Sequence, residues 1–544
     1  MKRLFVTEDN DYDFEEDGDE QPQHEDNTQQ DPDYMPVPPP DIDDNLVSDG
    51  KITGNQNSVL MDKKYIVCSQ QLDELFKFCQ HCGQAIVYKK QFTKGTMVSY
   101  NIRCHGGHSY IWHSQPQIHG QPMGNLLLAG AIVYTSLTFE RIRALCSAFN
   151  MNFYSRTVFS RLQRTKVFPV IQEAWESEKK SVVNATKASC PEGITVVGDG
   201  RCDSPGHTAK YGTYTVMHSG DSSKDTRKIL DTQLVQVSEV KNSNGMEPEG
   251  LKRCLKSLLE EEEVPISVLA TDRHITISSI MKKDYNTIHH QFDVWHVTKS
   301  IRKKLSEKAK QKKFADLGPW IQSICNHLWW CAANCKGNPQ LLREMWLSIL
   351  QHITNRHKWT GSVLYKRCSH PKLTKEEQKR KAWLSPDSDL FKELQKIVSK
   401  KKLLSDLEKL SLFCHTGELE VYHSMLLKYM PKRQHFPYES MKARTYLAAL
   451  DWNANCKREI AKDLSGQDKY TTVYSKRSKK WIQRPVYIKT SGVHIQPLME
   501  RLEEVHVQKA ELPQIHIPDN IPQYVASVEK PQTSTEIQHF SRFK

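Results

Sequence analysis

The chain has 544 residues and a formal net charge of +12, which is enough length for several domains with packed cores. The charge is uneven, because residues 1–50 carry 17 acidic against 2 basic side chains and so leave about +27 on residues 51–544. This basic body, with 11 Trp and 20 Tyr for stacking, favours nucleic acid as a partner. A secretory pattern is missing, and the longest apolar run, from Leu126 to Tyr134, is too short for a membrane span. We therefore expect a soluble intracellular protein without a membrane partner, whose 14 cysteines are reduced thiols or metal ligands.

Residues 1–60 are predicted to be a disordered acidic tail, because they are rich in Asp, Glu and Pro and poor in core-forming side chains. A globular pattern follows from about residue 64.

Residues 64–120 are predicted to form a zinc-ribbon-like module. The pair Cys79-x2-Cys82 is followed, after 21 residues, by Cys104-x3-His108. Thiolates at x2 spacing can bind one tetrahedral ion from a single turn, and a closed set of four ligands is typical of structural Zn²⁺. The fourth ligand stays open, because His105 could replace His108 and His81 could also take part.

Residues 121–190 are predicted to be helical and helix–turn–helix-like. GNLLLAGAIVYTSLTF, FERIRALCSAF and SRTVFSRLQRTKVF have helical patterns, and Ser155 is placed to cap the third. If that helix reads DNA, then Arg156, Arg161 and Arg164 lie near a groove or the backbone. The alternative is a packing hairpin with a solvated basic face.

Residues 191–304 predict an alternating α/β core. ITVVGD, GTYTVMH and ILDTQLVQVSEV have strand patterns, EPEGLKRCLKSLLEEEE has a helical pattern, and PISVLATD and HHQFD are further strands, each followed by a helix. This order of elements is that of a ribonuclease-H-like fold. The expected fold class is therefore α/β with a ribonuclease-H-like core.

An all-helical insertion is predicted for residues 305–415, which lack strand signals and are rich in Lys, Leu and Trp. Residues 416–456 return to the core with the helix GELEVYHSMLLKYM, and residues 457–544 form a basic extension with strand-like pieces and a polar tail. One Cys/His-rich stretch of the insertion favours a buried helix over a metal site, namely Cys325, His327, Cys331 and Cys335.

Three acids are candidates for binding two divalent cations. Asp199 ends ITVVGD and Asp272 ends PISVLATD, and the first and fourth strands of the expected sheet are neighbours. Mg²⁺ and Mn²⁺ prefer carboxylate oxygens, and two such ions about 4 Å apart can activate a water or a 3′-hydroxyl and stabilise the leaving oxygen of a phosphodiester. A third acid is expected from GELEVYHSMLLKYM, where Glu420 precedes His423 by one turn.

Two neighbouring acids are alternatives. Asp203 competes with Asp199, or else supports the site and orients the Ser-Pro-Gly turn that follows it. Glu418 competes with Glu420.

Four stretches, GDGRCDSPGHTAKYGTY, LATDRH, FDVWHVTKSI and HTGELEVYHSMLLKYMPKRQHFPYESMKARTYLAALDWN, together resemble eukaryotic cut-and-paste DDE transposases of the Kolobok and insertion-sequence-like lineages. The likeness runs from about Tyr65 to Lys480. It implies that Asp199, Asp272 and Glu420 are the metal ligands, and the choice of Glu420 depends mainly on the Gly-x-x-Glu-x-x-His-Ser match.

The resemblance also assigns roles outside the three acids. The family's Asp/Cys-x2-His signature falls on Asp293 and His296, which implies that they position DNA or brace the site, although a turn Asp and a structural His are the alternative. Lys432, Arg433 and Arg444 would steady the scissile strand. Many relatives begin with a zinc-dependent THAP domain, and no such pattern precedes Cys68 here.

The sequence thus predicts a nuclear, metal-dependent DNA transposase that uses Mg²⁺ or Mn²⁺ for strand cleavage and transfer, and that carries structural Zn²⁺. Its expected partners are transposon-end and target DNA, and the pairing of two ends implies a homodimer or larger complex. A domesticated or inactive transposon-derived DNA-binding protein is the alternative, and a nuclease or resolvase on the same fold is a third reading.

Overall fold

The computed structural model describes residues 58–204, 208–219, 227–432, 434–463, 465–475, 480–518 and 521–522, apart from the side chains of residues 377 and 380. The predicted acidic tail up to residue 57, Arg433 and most of the C-terminal polar tail lie outside these residues. The chain divides into two compact units. The first contains the described residues up to Ala174 and those of Leu450–Ile515, and the second contains Trp175–Ala449 with the described residues after 515.

The first unit begins with a three-stranded antiparallel sheet of order β1-β2-β3. Phe92 pairs with Ser99, and Tyr100 pairs with Trp112. The rings of Phe76, Tyr100 and Trp112 pack on one face of this sheet, with the centroids of Phe76 and Tyr100 4.6 Å apart. The elements are α1 Ser69–Leu75, β1 Ile86–Lys94, β2 Met97–Cys104, β3 Ser109–His113, β4 Gln117–Ile118 and β5 Gln121–Pro122.

The predicted helices follow. They are α2 Met123–Tyr134, α3 Phe139–Ala148, α4 Arg156–Leu162, a π-helical turn Gln163–Val167 and α5 Phe168–Ser189. Helix α2 is buried on nearly all sides, as its apolar sequence predicts. Thr138 caps α3, and Ser155 caps α4 as expected by accepting a hydrogen bond from the Val158 N–H at 3.4 Å.

The second unit is built on a mixed five-stranded sheet of order β10-β9-β6-β7-β8. Strand β7 runs antiparallel to both β6 and β8, whereas β9 and β10 continue the sheet on the other side of β6 and run parallel to it. The elements are β6 Ile194–Cys202, β7 Tyr211–His218, β8 Ile229–Gln236, α6 Met246–Lys256, a π-helical turn Ser257–Glu261, β9 Ile266–Thr271, α7 Ile275–Lys283, β10 His289–Phe292 and α8 Val294–Ala309. The protein is therefore mixed α/β, with strands and helices in the predicted order.

Helix α6 packs closely on the sheet. A Cβ at Gly250 would lie 2.5 Å from the Tyr214 Cβ, so only glycine allows this approach. Leu251, Cys254 and Leu255 of α6 join Val196 and Val216 of the strands in one buried core.

The insertion packs around a second hydrophobic core, to which β10 and α8 also contribute. The described backbone of residues 305–415 contains no strand, and its elements are a 3₁₀ segment Lys312–Leu317, α9 Gly318–Asn334, α10 Pro339–Leu347, α11 Ile349–His352, α12 Lys375–Arg380, α13 Asp389–Val398, α14 Lys401–Leu407 and a 3₁₀ turn Glu408–Leu410. Trp346 is fully buried in this core and donates its indole N–H to the Val398 carbonyl at 3.0 Å. Cys325, Cys331 and Cys335 are buried as predicted, and the His327 Nε2 bonds the Met345 carbonyl at 2.8 Å.

The remaining elements are α15 Gly417–Tyr429, α16 Tyr438–Asn455, the hairpin β11 Tyr470–Ser475 with β12 Lys480–Pro485, and α17 Ile495–Gln508. The sequence predicted only strand-like pieces after residue 457, so α17 corrects that prediction. Its residues Leu498, Leu502 and Val505 are buried, and Leu502 packs over Gly130 of α2. None of the described helices is both long enough and apolar enough to cross a bilayer.

Candidate metal centre

The two predicted aspartates occupy matching positions on two neighbouring strands. Strands β6 and β9 are parallel, and Gly198 pairs with Thr271, so Asp199 and Asp272 come next on each strand at the same edge of the sheet. Strand β6 continues to Cys202, which places Asp199 inside the strand rather than at its end as expected. Asp272 is the first residue after β9.

Helix α15 adds Glu420 and His423 on one face. The two residues are three positions apart, so their side chains point in the same direction. The His423 Nδ1 lies 3.4 Å from the Asp199 Oδ2, and the Glu420 Oε1 lies 3.6 Å from the His296 Nε2. One helix therefore contacts both the Asp199 carboxylate and the histidine beside Asp272.

His296 joins two of the three predicted acids. Its Nε2 lies 2.9 Å from the Asp272 Oδ1 as well as 3.6 Å from the Glu420 Oε1. Burial lowers the pKa of His296, but the hydrogen bonds to Asp272 and Glu420 raise it more, to about 10. His296 therefore lies between Asp272 and Glu420 and contacts both carboxylates.

Asp293 ties together the helices that carry this arrangement. Its Oδ1 accepts the Trp295 N–H at 2.6 Å and caps α8, while its Oδ2 accepts the backbone N–H of Thr416 at 3.1 Å and the Thr416 hydroxyl. Asp293 and Thr416 are both buried. The start of α8, which carries His296, is thus fixed to the start of α15, which carries Glu420.

Glu247, at the start of α6, is a fourth acid that the sequence reasoning missed. A Cβ at Gly200 would lie 2.5 Å from the Glu247 Cγ, so this glycine provides the space for Glu247 beside β6. Burial, with the charges of Asp199 and Asp272, raises the pKa of Glu247 to about 8. In the sequence, the glycine at position 200 hinted only that some side chain packs beside Asp199, because a glycine leaves room for a neighbour.

The two alternative acids have other partners. The Asp203 carboxylate accepts the Lys210 N–H at 3.0 Å, which closes the turn after β6. Glu418 pairs with Arg227, with 2.7 Å between the Glu418 Oε1 and the Arg227 Nε. The geometry thus places Glu420, rather than Glu418, beside the histidine that binds Asp272.

We name Asp199, Asp272, Glu420 and Glu247 the acid cluster. These carboxylates are partly buried, and mutual repulsion together with burial raises the pKa of Asp272 as well as that of Glu247. Asp272, Asp293 and His296 each place a ligand atom within 4.8 Å of the others, so this region could hold a metal ion. Oxygen donors with excess negative charge suit a hard divalent cation.

A second group, in the first unit, contains the four predicted Cys and His ligands Cys79, Cys82, Cys104 and His108. Their ligand atoms all lie within 4.8 Å of one another, so they could also hold a metal ion. The Sγ atoms of Cys82 and Cys104 are 3.6 Å apart, and the Cys104 Sγ is 3.6 Å from the His108 Nδ1. We name this group the ribbon cluster.

Two tight turns present the ribbon cluster. Gly83 and Gly107 have φ angles of 70° and 81°, which glycine adopts without strain, and their N–H groups bond the carbonyls of Cys79 and Cys104. His108 lies in the group, whereas His105 is excluded from it and donates its backbone N–H to the Ala85 carbonyl. The His81 ring packs edge-on to Tyr110.

The predicted DNA-contacting arginines of the first unit lie on the surface. Arg156, Arg161 and Arg164 are exposed, and the Arg156 Nη1 pairs with the Glu140 Oε1 at 2.6 Å. Lys432, in the second unit, is also exposed.

Arg444 corrects a prediction. Its side chain is only 2% exposed, its Nη1 donates to the Tyr429 carbonyl at 3.1 Å, and its guanidinium lies 4.4 Å from the Phe436 ring centroid. A buried guanidinium cannot reach a phosphate, so Arg444 packs α16 against the end of α15 instead of binding DNA.

Neither a scan against protein-family models nor a search of the curated proteins found a match for this chain.

Proposed function

We propose that the protein is a metal-dependent DNA transposase of the DDE type, with Asp199, Asp272 and Glu420 as its metal ligands. The observation that carries the proposal is the convergence of these acids: His296 is shared by Asp272 and Glu420, and Asp199 lies on the adjoining strand. In this reaction water attacks phosphorus at a transposon end and the 3′-oxygen leaves as a hydroxyl. That hydroxyl then attacks target DNA in line and displaces a 3′-oxygen there.

The architecture supports a ribonuclease-H-like assignment of the core. Three antiparallel strands extended by two parallel strands, in the order β10-β9-β6-β7-β8, agree with that fold, whose first and fourth strands are central neighbours. A helical insertion between α8 and α15 separates the third acid from the first two in sequence.

The acid cluster fits Mg²⁺ or Mn²⁺, because these partly buried carboxylates offer oxygen ligands, and burial with mutual repulsion raises the pKa values of Asp272 and Glu247. When bound, such ions lower the pKa of water and stabilise the leaving oxygen. The protein's own groups hold the ligands in position: the His423 Nδ1 lies 3.4 Å from the Asp199 Oδ2, and Asp293 fixes α15 relative to α8.

The ribbon cluster fits Zn²⁺, since three cysteines and one histidine with ligand atoms this close together are a donor set of the kind that structural Zn²⁺ uses. We propose a structural role for this ion. The basic body of the chain, the exposed Arg161, Arg164 and Lys432, and the run of lysines in α8 fit DNA as the partner and the nucleus as the compartment. The pairing of two transposon ends would require a homodimer or a larger complex.

The test is strand cleavage of a plasmid that carries the genomic flanks of the gene, with Mg²⁺ or Mn²⁺, by the full-length protein. Asp272→Asn and Glu420→Gln should each reduce cleavage by about a thousandfold, because each removes a charged metal ligand. Glu418→Gln is the matched control, since Glu418 lies on the same helix but pairs with Arg227, and it should cut within about threefold of wild type.

Normal cleavage by Asp272→Asn or Glu420→Gln would overturn the catalytic assignment. If the wild-type protein binds the flanking DNA but cuts with neither metal, the protein is a DNA-binding relative of transposases rather than an enzyme. If Glu418→Gln is inactive and Glu420→Gln is active, the third ligand is Glu418.

A further inference from the structure

One segment of the insertion brings distant residues together without a buried core of its own. Helix α11 ends at His352, and the chain then turns so that the Cys368 N–H donates to the His357 carbonyl at 3.0 Å. The Trp359 N–H donates to the Lys366 carbonyl at 3.1 Å, which extends this pairing by one step. Of residues 353–374, only Ile353 is buried. Hydrophobic burial therefore stabilises this segment very little.

Four potential metal ligands meet where the segment returns to α11. We name His352, His357, Cys368 and His370 the insertion cluster. Their ligand atoms all lie within 4.8 Å of one another. The His352 Nδ1 is 3.5 Å from the Cys368 Sγ, and the His370 Nε2 is 3.2 Å from the His357 Nδ1. Zn–N bonds of about 2.0 Å and Zn–S bonds of about 2.3 Å in a tetrahedron place neighbouring ligand atoms about 3.3–3.8 Å apart, close to these separations.

The outer hydrogen bonds orient two imidazoles toward a common centre. The His357 Nε2 lies 3.0 Å from the Asn355 Oδ1, and the His370 Nδ1 lies 2.7 Å from the Pro371 carbonyl oxygen. Because both partners are acceptors, each ring donates its proton outward. The two inward nitrogens, 3.2 Å apart, then face each other with lone pairs. A metal ion bound by both nitrogens would relieve this repulsion, and outward donation to a carbonyl or amide oxygen is typical of metal-bound histidine.

Aromatic side chains cover the cluster. The Trp383 ring centroid lies 5.8 Å from the centroids of both His352 and His357, and Trp320 lies edge-on to His352 at 6.2 Å. Trp383 is held by its indole N–H, which donates to the Gln378 carbonyl at 2.9 Å. These rings lie on the His352 and His357 side of the cluster, whereas His370 is exposed. A closed set of four protein ligands is what suits a structural ion rather than a catalytic one.

We propose that the insertion cluster binds one structural Zn²⁺ through three imidazoles and one thiolate, and that this ion holds residues 353–374 on the helical insertion. Nitrogen and sulfur donors in a closed set of four select Zn²⁺ over Mg²⁺ or Ca²⁺. The site is separate from the ribbon cluster and from the acid cluster, and it does not depend on the proposed function.

The experiment measures zinc per chain in the purified full-length protein, after reconstitution with Zn²⁺ and dialysis against excess Mg²⁺ to clear the carboxylates. The decisive protein is Cys79→Ser/Cys82→Ser, which disables the ribbon cluster and leaves the insertion unchanged. It should retain about one zinc per chain. If this folded variant contains no zinc, the proposal is overturned.

A second set of variants assigns the ion to residues. His357→Ala/Cys368→Ser, in the otherwise wild-type chain, should lose one zinc, and in the Cys79→Ser/Cys82→Ser chain it should lose the last one. His289→Ala/Cys190→Ser is the matched control, since it removes one histidine and one cysteine outside both Cys/His clusters, and it should keep the wild-type content. If His357→Ala/Cys368→Ser keeps the wild-type zinc content, the assignment of the ion to these residues is contradicted. If His357→Ala/Cys368→Ser does not fold, two single variants decide instead. His357→Cys supplies a replacement ligand and should keep the wild-type zinc content, whereas His370→Ala should lose one zinc. Wild-type zinc content in His370→Ala overturns the proposal.

Discussion

The acid cluster and the insertion cluster are built in opposite ways, although both belong to the second unit. The acid cluster is presented by two strands and two helices, and the sheet pairing of the strands and the buried hydrogen bonds from Asp293 to the start of α15 position them. The insertion cluster takes three of its four ligands from a segment with a single buried residue. In the first case the fold positions the ligands, whereas in the second the proposed ion positions part of the fold. Metal removal should therefore have different consequences at the two places.

The largest expected effect is local opening at the insertion cluster after chelation. Removal of Zn²⁺ should accelerate hydrogen exchange of the Cys368 amide, which bonds the His357 carbonyl, by about a thousandfold, or about 4 kcal/mol. Amides of β9, such as that of Leu269, should exchange within about threefold of their rates before chelation, because sheet hydrogen bonds and burial protect them. Mass spectrometry of peptides covering both regions measures this difference. Equal acceleration in β9 and the 353–374 segment would contradict the comparison.

A smaller effect is expected where the fold holds the acid cluster. Asp293→Asn replaces one acceptor oxygen by an NH₂ group, which then faces either the Trp295 N–H or the Thr416 donors, so it should destabilise the protein by about 2–3 kcal/mol. Thr416→Val is the matched control, because it loses only the hydroxyl bond to Asp293 and should cost about 1 kcal/mol. Urea unfolding in EDTA measures both values. An Asp293→Asn protein as stable as wild type would show that this carboxylate does not hold the two helices.

The acid cluster should also make stability depend on pH when no divalent metal is present. The pKa of Glu247 in the folded protein is raised to about 8 by burial and by Asp199 and Asp272, above its ordinary 4.5. Between these two pKa values the folded state therefore binds a proton that the unfolded state has lost. The stability that this proton contributes is fully present below about pH 4.5 and is lost as the pH rises through 8. Between pH 6 and 9, the free energy of unfolding of the wild-type protein should fall by about 2 kcal/mol more than that of Glu247→Gln.

Glu249→Gln provides the control for Glu247. Glu249 lies on the same helix but pairs with Arg253 at 2.9 Å, so its replacement should leave the wild-type pH dependence in place. Urea unfolding at pH 6 and pH 9 in EDTA gives the comparison, and a Glu247→Gln protein with the wild-type slope would exclude Glu247 as its source.

The same contrast explains what the sequence could predict. The strand patterns of ITVVGD and PISVLATD identified β6 and β9, and the parallel pairing of these strands then brings Asp199 and Asp272 together. The Cys79-x2-Cys82 spacing was legible because both ligands lie in one turn. The insertion cluster gave no comparable signal, since ten residues separate His357 from Cys368 and only backbone pairing across the loop joins them.

Two other features needed the structure for different reasons. Glu247 begins a helix, where an acid is an ordinary partner of the helix dipole, so its sequence position does not distinguish it from Glu249. Arg444 follows the third acid in a basic stretch, and only its burial separates it from exposed Lys432. Helix α17, by contrast, was detectable, because Leu498, Leu502 and Val505 recur at helical spacing.

The smallest expected effect tests how closely the fold controls the acid cluster. A Cβ in Gly200→Ala would lie 2.5 Å from the Glu247 Cγ and 3.1 Å from its Cδ, so the Glu247 side chain must move. Because that side chain is flexible, the cost should be about 1 kcal/mol in urea unfolding, with about a tenfold loss of plasmid cleavage. Gly318→Ala is the matched control, since no atom lies within 4 Å of its added Cβ, and it should be neutral or slightly stabilising. Zinc content should stay at the wild-type level in both variants, because neither glycine contacts a Cys/His cluster. If Gly200→Ala instead matches Gly318→Ala in stability and cleavage, then Glu247 can be displaced freely, and the fold constrains the acid cluster less tightly than its packing implies.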